Sequence, residues 1–327
     1  MKKKSYGKKL LAWVLALAVS MTLVPVMGQR EVQAAKIMNA WDGETTEVPK
    51  TDENGTYQIS NGAELAWFAK KVNDGASSIN GELTDKIYLG DGTSQNKWLM
   101  IGDTAEHAYK GTFNGNGYTV YFLDAEISEE NPDVRYAGLF GVVDGGTISN
   151  VKVSGEVHNN YAAYKTEGKY EKLYIGSGGI AGYLKSGTIS GCTNYTETTM
   201  AGEALRRNAG GIVGICSGTV RRCVNNGTLS TKVRFAQHNI GGIAGMEVGP
   251  NAVIRYCENK EAVQGYYSVG GIAGGVYQGA AVQNCYNKAK ISGVDTIGGI
   301  AGGVNESSVY AAVSYTHLRA HETVLDL

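Results

Sequence analysis

From Ala137 to about Ala312 the chain is built of short apolar, β-branched runs broken by glycine, serine and asparagine. Gly178 to Ile189 reads G-G-I-A-G-Y-L-K-S-G-T-I, and Gly210 to Val220 reads G-G-I-V-G-I-C-S-G-T-V. Such runs, punctuated by Ser-Gly, Asn-Gly and Gly-Pro, predict strands between turns. Helix fits poorly, since each glycine of a pair costs about 1 kcal/mol in a helix interior. The G-G-I-x-G cluster returns at Gly178, Gly210, Gly241, Gly270 and Gly298, with intervals of 32, 31, 29 and 28 residues. A variant copy reads Ala137-Gly138-Leu139-Phe140-Gly141. Two or three strands in about 30 residues suit one rung of a parallel β-helix, whereas a propeller blade needs about 40 or more.

The pattern before the repeats is different. Asn61 to Asn73 places Leu65, Phe68, Ala69 and Val72 at three-to-four spacing, which predicts an amphipathic helix with Asn61 as its N-cap. Such a helix would cover the open first rung of a solenoid. Lys86–Gly90 and Trp98–Gly102 read as strands, and Tyr109–Val120 as a strand, an Asn-Gly corner and a strand.

In a stacked helix, equivalent positions lie about 4.8 Å apart. Ile180, Ile212, Ile243, Ile272 and Ile300 then form an interior ladder, with the glycines beside them where a Cβ would clash. Cys192, Cys223, Cys257 and Cys285 share one register in the pattern I/V-x-x-C-x-N and predict a buried stack of small apolar thiols. Asn194, Asn225, Asn259 and Asn287 follow them and predict an amide ladder at a bend tolerant of left-handed backbone. The fifth cysteine, Cys216, lies outside the register, and an odd count argues against a fully paired disulfide framework. Without C-x-x-C or interleaved histidines, neither a metal nor another cofactor is expected.

The ends lie outside this pattern. Lys-rich Met1–Lys9, an apolar run to about Met27 and Val32-Gln33-Ala34 predict a signal peptide over residues 1–34, of Gram-positive style, and hence a secreted or cell-surface protein with no membrane association after cleavage. From Val313 the repeat breaks in mid-coil, and Val313–Thr323 resembles the translation of a transposase-type sequencing adapter. The expected organisation is a signal peptide (1–34), a cap with the first rungs (35–135), a truncated repeat helix (136–313) and a non-native tail (314–327), with downstream domains of the natural chain missing. Leaving out residues 1–34 and 314–327, 23 basic and 28 acidic side chains remain, a net charge near −5. That balance gives no field for nucleic acid.

The G-[ILV]-x-G signature, the later I-x-x-C-x-N and the coil period together resemble GLUG-motif proteins, whose motif occurs in the non-catalytic region of M26-type immunoglobulin A proteases and in secreted proteins of Firmicutes. The resemblance covers Ala137 to about Ala312 and implies a right-handed β-helix of the pectin-lyase-like kind, all-β, exposed at the cell surface. Residues 36–135 are similar to the segment that often precedes such repeats.

Two places could bind. Residues 158–175 interrupt the period, and Tyr161, Tyr164, Tyr170 and Tyr174 could stack on sugar rings or a partner protein. Arg221 and Arg255 share a register two residues before the cysteines and could form a basic spot for uronic acids. For catalysis, His321-Glu322-Thr323-Val324-Leu325 lacks the second histidine of a zinc-protease H-E-x-x-H. Asp103, Glu106, Asp124, Asp133 and Asp144 are available, but no acidic pair is evident at coil spacing for a glycosidase. The expected function is therefore a binding or scaffold β-helix that engages a host protein or polysaccharide. The alternative is the non-catalytic N-terminal part of an M26-like zinc metalloprotease or a polysaccharide-degrading enzyme.

Overall fold

The computed structural model describes residues 39–93, 96–128, 134–160, 175–201, 207–231, 238–315 and the backbone of 319–320. One rung shows the plan. Arg207–Gly210 lies in a six-stranded sheet, Val213–Cys216 and Thr219–Arg221 in a 14-stranded sheet, and Val224–Asn225 and Leu229–Thr231 in a 12-stranded sheet. The next rung repeats the order with His238–Gly241, Ala244–Val248, Val253–Arg255, Glu258–Asn259 and Val263–Gln264. Every strand pairs in parallel with its counterpart one rung on, except Lys50–Thr51, which is antiparallel to Tyr57–Ile59. The chain is an all-β parallel solenoid, a β-helix.

The interior is stacked in register. Gly178, Gly210, Gly241, Gly270 and Gly298 are successive Cα partners. Ile180, Ile212, Ile243 and Ile272 are fully buried, and Ile300 packs against them half-buried. The glycine pairs answer to crowding rather than backbone handedness, for none of them has positive φ. A Cβ on Gly210 would stand 2.1 Å from the Val213 carbonyl oxygen. The left-handed corners fall elsewhere, at Asn150, Gly191, Arg222, Tyr256, Asn284 and Ala311. Contrary to the sequence expectation, the asparagine ladder does not occupy left-handed backbone, because its members sit in strands and act through their amides.

The Tyr109–Val120 segment forms two strands as expected, Thr112–Asn114 and the start of Thr119–Ile127, around Asn116 (φ 48) and Gly117 (φ 79). They belong to different sheets, so the turn is a corner of the solenoid and not a hairpin. Trp98–Gly102 departs from expectation. It forms no strand, and meets the 14-stranded sheet through the Ile101–Phe140 bridge and the Val142 amide, which donates to Gly102 O (2.7 Å). Its other backbone partners are divided between a second sheet and the helix: the Trp98 amide donates to Asp124 O (2.8 Å), Met100 O accepts from Asn73 Nδ2 (3.0 Å), and the Gly102 amide donates to Asn73 Oδ1 (2.8 Å).

Asn73 ends the helix that covers this first rung, α1 (Gly62–Asn73). Asn61 Oδ1 accepts from the Glu64 amide (2.9 Å), while Glu64 Oε2 accepts from the Ser60 amide (2.6 Å), a reciprocal cap displaced by one residue. Leu65, Phe68, Ala69 and Val72 are buried, and the Phe68 ring packs on Phe113 and Tyr109 (centroids 5.7 and 6.1 Å apart). Asn61→Ala should lower stability by about 1 kcal/mol, read as a lower urea midpoint with unchanged slope. An unchanged midpoint would mean that packing alone holds the helix start.

Candidate functional site

The cysteine and asparagine positions form one inner corner. Each column cysteine is fully buried, and the Sγ of Cys223, Cys257 and Cys285 lies 3.3, 3.4 and 3.2 Å from the carbonyl oxygen two residues back in its own rung. Burial pushes the Cys192 and Cys257 thiols up, as it does Cys216, so these groups stay protonated and pack. Beside them the amides of Asn194, Asn225, Asn259 and Asn287 are chained Nδ2 to Oδ1 at 2.8, 2.8 and 2.9 Å. The chain runs on to Ser314 Oγ at 3.4 Å, in the position where the repeat would place asparagine.

On the outside of the same corner stand the residues with no evident structural task. The left-handed position just before each cysteine is filled by Gly191, Arg222 (φ 55), Tyr256 (φ 57) and Asn284. Glycine and asparagine suit that backbone, whereas an arginine or tyrosine there costs about 1–2 kcal/mol. Tyr256 is 54% exposed and Tyr286, one rung on, 44%. With Arg222, Glu258, Lys288 and Tyr315 they line an open groove of about 410 Å³. Glu258 bridges Lys260 (3.3 Å) and Lys288 (2.5 Å), and the Lys288 hydrogen bond, helped by Lys260, holds its carboxyl below the usual range.

Arg221 and Arg255 are Cα partners on the adjoining sheet face, with Ser190 and Gln283 above and below. The structure thus brings together the two arginines that the sequence singled out and adds Arg222 beside them. Among the described residues none of the three makes a salt bridge. The sequence carried a signal for the groove: glycine and asparagine at the residue before the cysteine mark a left-handed corner, against which Arg222 and Tyr256 stand out. Tyr161, Tyr164, Tyr170 and Tyr174 lie outside the described residues.

A second polar cluster corrects the sequence analysis. Asp124, Glu156 and Glu197 are Cα partners in successive rungs, so acidic residues do stack at coil spacing. Beside them run Glu126, His158 and Thr199. Lys97 Nζ bridges Asp124 (3.0 Å) and Glu126 (2.7 Å), and it, more than the Asn160 amide, draws the Glu126 carboxyl down. His158 touches Thr199 Oγ1 through Nδ1 and Glu156 through Nε2, both at 2.9 Å. A hydroxyl–imidazole–carboxylate chain can relay a proton. Here, however, Thr199 lies mid-strand between paired neighbours, where backbone amides serve the ladder rather than a developing oxyanion. Asp103 and Asp144 are likewise taken, by His107 (2.9 Å) and by Lys185 (2.7 Å). Asp133 lies outside the described residues.

Three further ionisable side chains, Arg207, His238 and Glu247, are buried. Arg207 and His238 are Cα partners, and burial, reinforced by the Arg207 charge, holds His238 down to about 4, uncharged at neutral pH. Glu247 is fully buried, and among the described residues neither carboxyl oxygen has a partner within hydrogen-bond distance, although the backbone of Ile254 and Ala281 faces it weakly.

Residues 265–292 match the GLUG motif. No curated protein matches the chain. Among solved structures the chain is similar to a crystal structure at 1.30 Å resolution of a candidate immunoglobulin A1 protease from Bacteroides ovatus. The two share 19% identity with a TM-score of 0.52, over 83% of this chain and 82% of that one. At that identity the likeness is one of fold.

Proposed function

We propose that this GLUG-motif β-helix is a binding module of a secreted or cell-surface protein, a rigid column that presents its outer corner to a glycan or host protein. The observation that carries it is the Arg222–Tyr256–Tyr286 groove: exposed rings and guanidiniums without ion pairs, two of them held at a costly left-handed corner. Rings that are apolar on their faces and polar at the tip suit such recognition. Asp124, Glu126 and Glu156 of the acidic face, by contrast, are engaged by Lys97 and His158. The test is retention of the purified protein on immobilised polysaccharides and host glycoproteins. Saturable retention on at least one is expected. A folded protein retained by none would overturn the proposal.

The likeness to an immunoglobulin A1 protease candidate favours a second reading, in which the same module is the non-catalytic part of a larger enzyme. Long-read sequencing of the source locus across codon 313 separates the two. A sortase signal or wall-binding repeats downstream would support an adhesin, and a zinc-protease motif would support the enzyme.

A further inference from the structure

We infer that the corner formed by Arg221, Arg222, Arg255, Tyr256 and Tyr286 binds a carboxylated polysaccharide strand lying along the axis of the β-helix. This rests on the binding-module proposal and names the ligand class for that site.

Charge comes first. Arg221 and Arg255 stand in one outward column whose neighbours, Ser190 and Gln283, carry no charge. Around the corner, Arg222 and Lys288 line the groove against one carboxylate, Glu258, which two lysines already share. The chain as a whole is mildly acidic, so this excess of cations is local. Arginine presents a planar fork that matches a carboxylate with two parallel hydrogen bonds, so unpaired guanidiniums favour a ligand with carboxylates over a neutral one.

Spacing comes next. Successive rungs place Arg221 above Arg255, and Arg222 above Tyr256, about 4.8 Å apart. A chain with one carboxylate per ring offers a comparable linear repeat of charge. Tyr256 and Tyr286 line the groove as exposed aromatic side chains on consecutive rungs, and the apolar C–H face of a pyranose packs on such rings. An acidic peptide would satisfy the arginines but leave the two rings without a matching partner.

Backbone strain is the third strand of the argument. Arg222 and Tyr256 hold left-handed φ values of 55 and 57°, at the position that Gly191 and Asn284 fill in neighbouring rungs. A strained position kept by large side chains points to a task for those side chains. The groove also meets Tyr315, in the adapter-like tail, but the proposed site uses residues 221 to 288 alone.

The experiment is isothermal titration of the full chain with a galacturonate hexamer, its fully methyl-esterified counterpart and poly-glutamate, at two salt concentrations. The acidic hexamer should bind at least tenfold more tightly than the ester, and less tightly at high salt. Tyr256→Asn, which restores a residue suited to the corner, should melt higher than the parent and yet bind at least tenfold more weakly. Arg255→Gln should weaken the acid and leave the ester unchanged. Equal binding of acid and ester, preference for poly-glutamate, or full affinity in Tyr256→Asn would each overturn the ligand class. Binding of the ester alone would leave the binding module standing, whereas retention by nothing in the broader screen would remove both.

Discussion

Gly211→Ala should destabilise the protein by about 4 kcal/mol or more, enough to prevent accumulation of a folded product at 37 °C. The new Cβ would stand 2.3 Å from Asn225 Cγ and Oδ1 and 2.4 Å from the carbonyl oxygen of Gly242 in the next rung. Backbone packed between two rungs cannot retreat, so Asn225 must. Its amide makes four hydrogen bonds: Nδ2 donates to Asn259 Oδ1 and Gly227 O (both 2.8 Å), while Oδ1 accepts from Asn194 Nδ2 (2.8 Å) and from the Gly227 amide (3.1 Å). Each buried partner left unpaired costs about 1–3 kcal/mol, added to about 1–3 kcal/mol of overpacking. Gly303→Ala is the matched control, since the nearest atom to its new Cβ is the far end of the Tyr277 side chain, at 3.3 Å. Thermal melts of both variants decide the matter. A Gly211→Ala melt close to that of Gly303→Ala would mean that the asparagine column does not hold the rungs.

Most of what makes the column was legible in the sequence, because a solenoid writes its contacts as a period. Glycine pairs, isoleucines, cysteines and asparagines each return at the coil interval, and each stacks on its copy one rung away. The cap was legible for a different reason: Asn61, Leu65, Phe68 and Val72 obey helix geometry within a dozen residues. Signals failed where the period was disturbed. Asp124, Glu156 and Glu197 stand 32 and 41 residues apart, and a register shift between Val120 and Leu123, with Phe122 at φ 60°, hides their alignment from counting. Trp98–Gly102 has strand-like composition, yet the side chain of Asn73 takes up part of its backbone bonding. Arg222 and Tyr256 gain meaning only once the residue before each cysteine is known to be a left-handed corner, a position that Gly191 and Asn284 mark in neighbouring rungs. Glu247 carries no sequence signal of its burial, because a lone glutamate is ordinarily an exposed residue.

That glutamate carries the second large expectation: Glu247→Val should stabilise the protein at neutral pH by about 1–3 kcal/mol, the cost of burying a polar group that only the Ile254 and Ala281 backbone weakly answers. Its Cα partners are Cys216 and Val276, and Leu184 lies one rung further along the same column, all fully buried. A valine therefore continues an apolar stack at little change in volume. Burial, with a smaller contribution from Cys285, holds the Glu247 carboxyl well above the ordinary glutamate value of 4.5, so the folded protein keeps the proton there while the unfolded chain releases it. Below the ordinary value both states are protonated and pH has no effect through this group. As pH rises above it the unfolded state binds fewer protons, and stability falls by about 1.4 kcal/mol per pH unit until the folded group ionises. The parent should accordingly lose stability from pH 4.5 upward relative to both Glu247→Val and Glu247→Gln, with the gap widest at neutral pH. Urea titrations at pH 4, 5.5 and 7 measure that gap. Parallel profiles for parent and variants would show that Glu247 is ionised and solvated in the folded protein, and that the core opens to water at this rung.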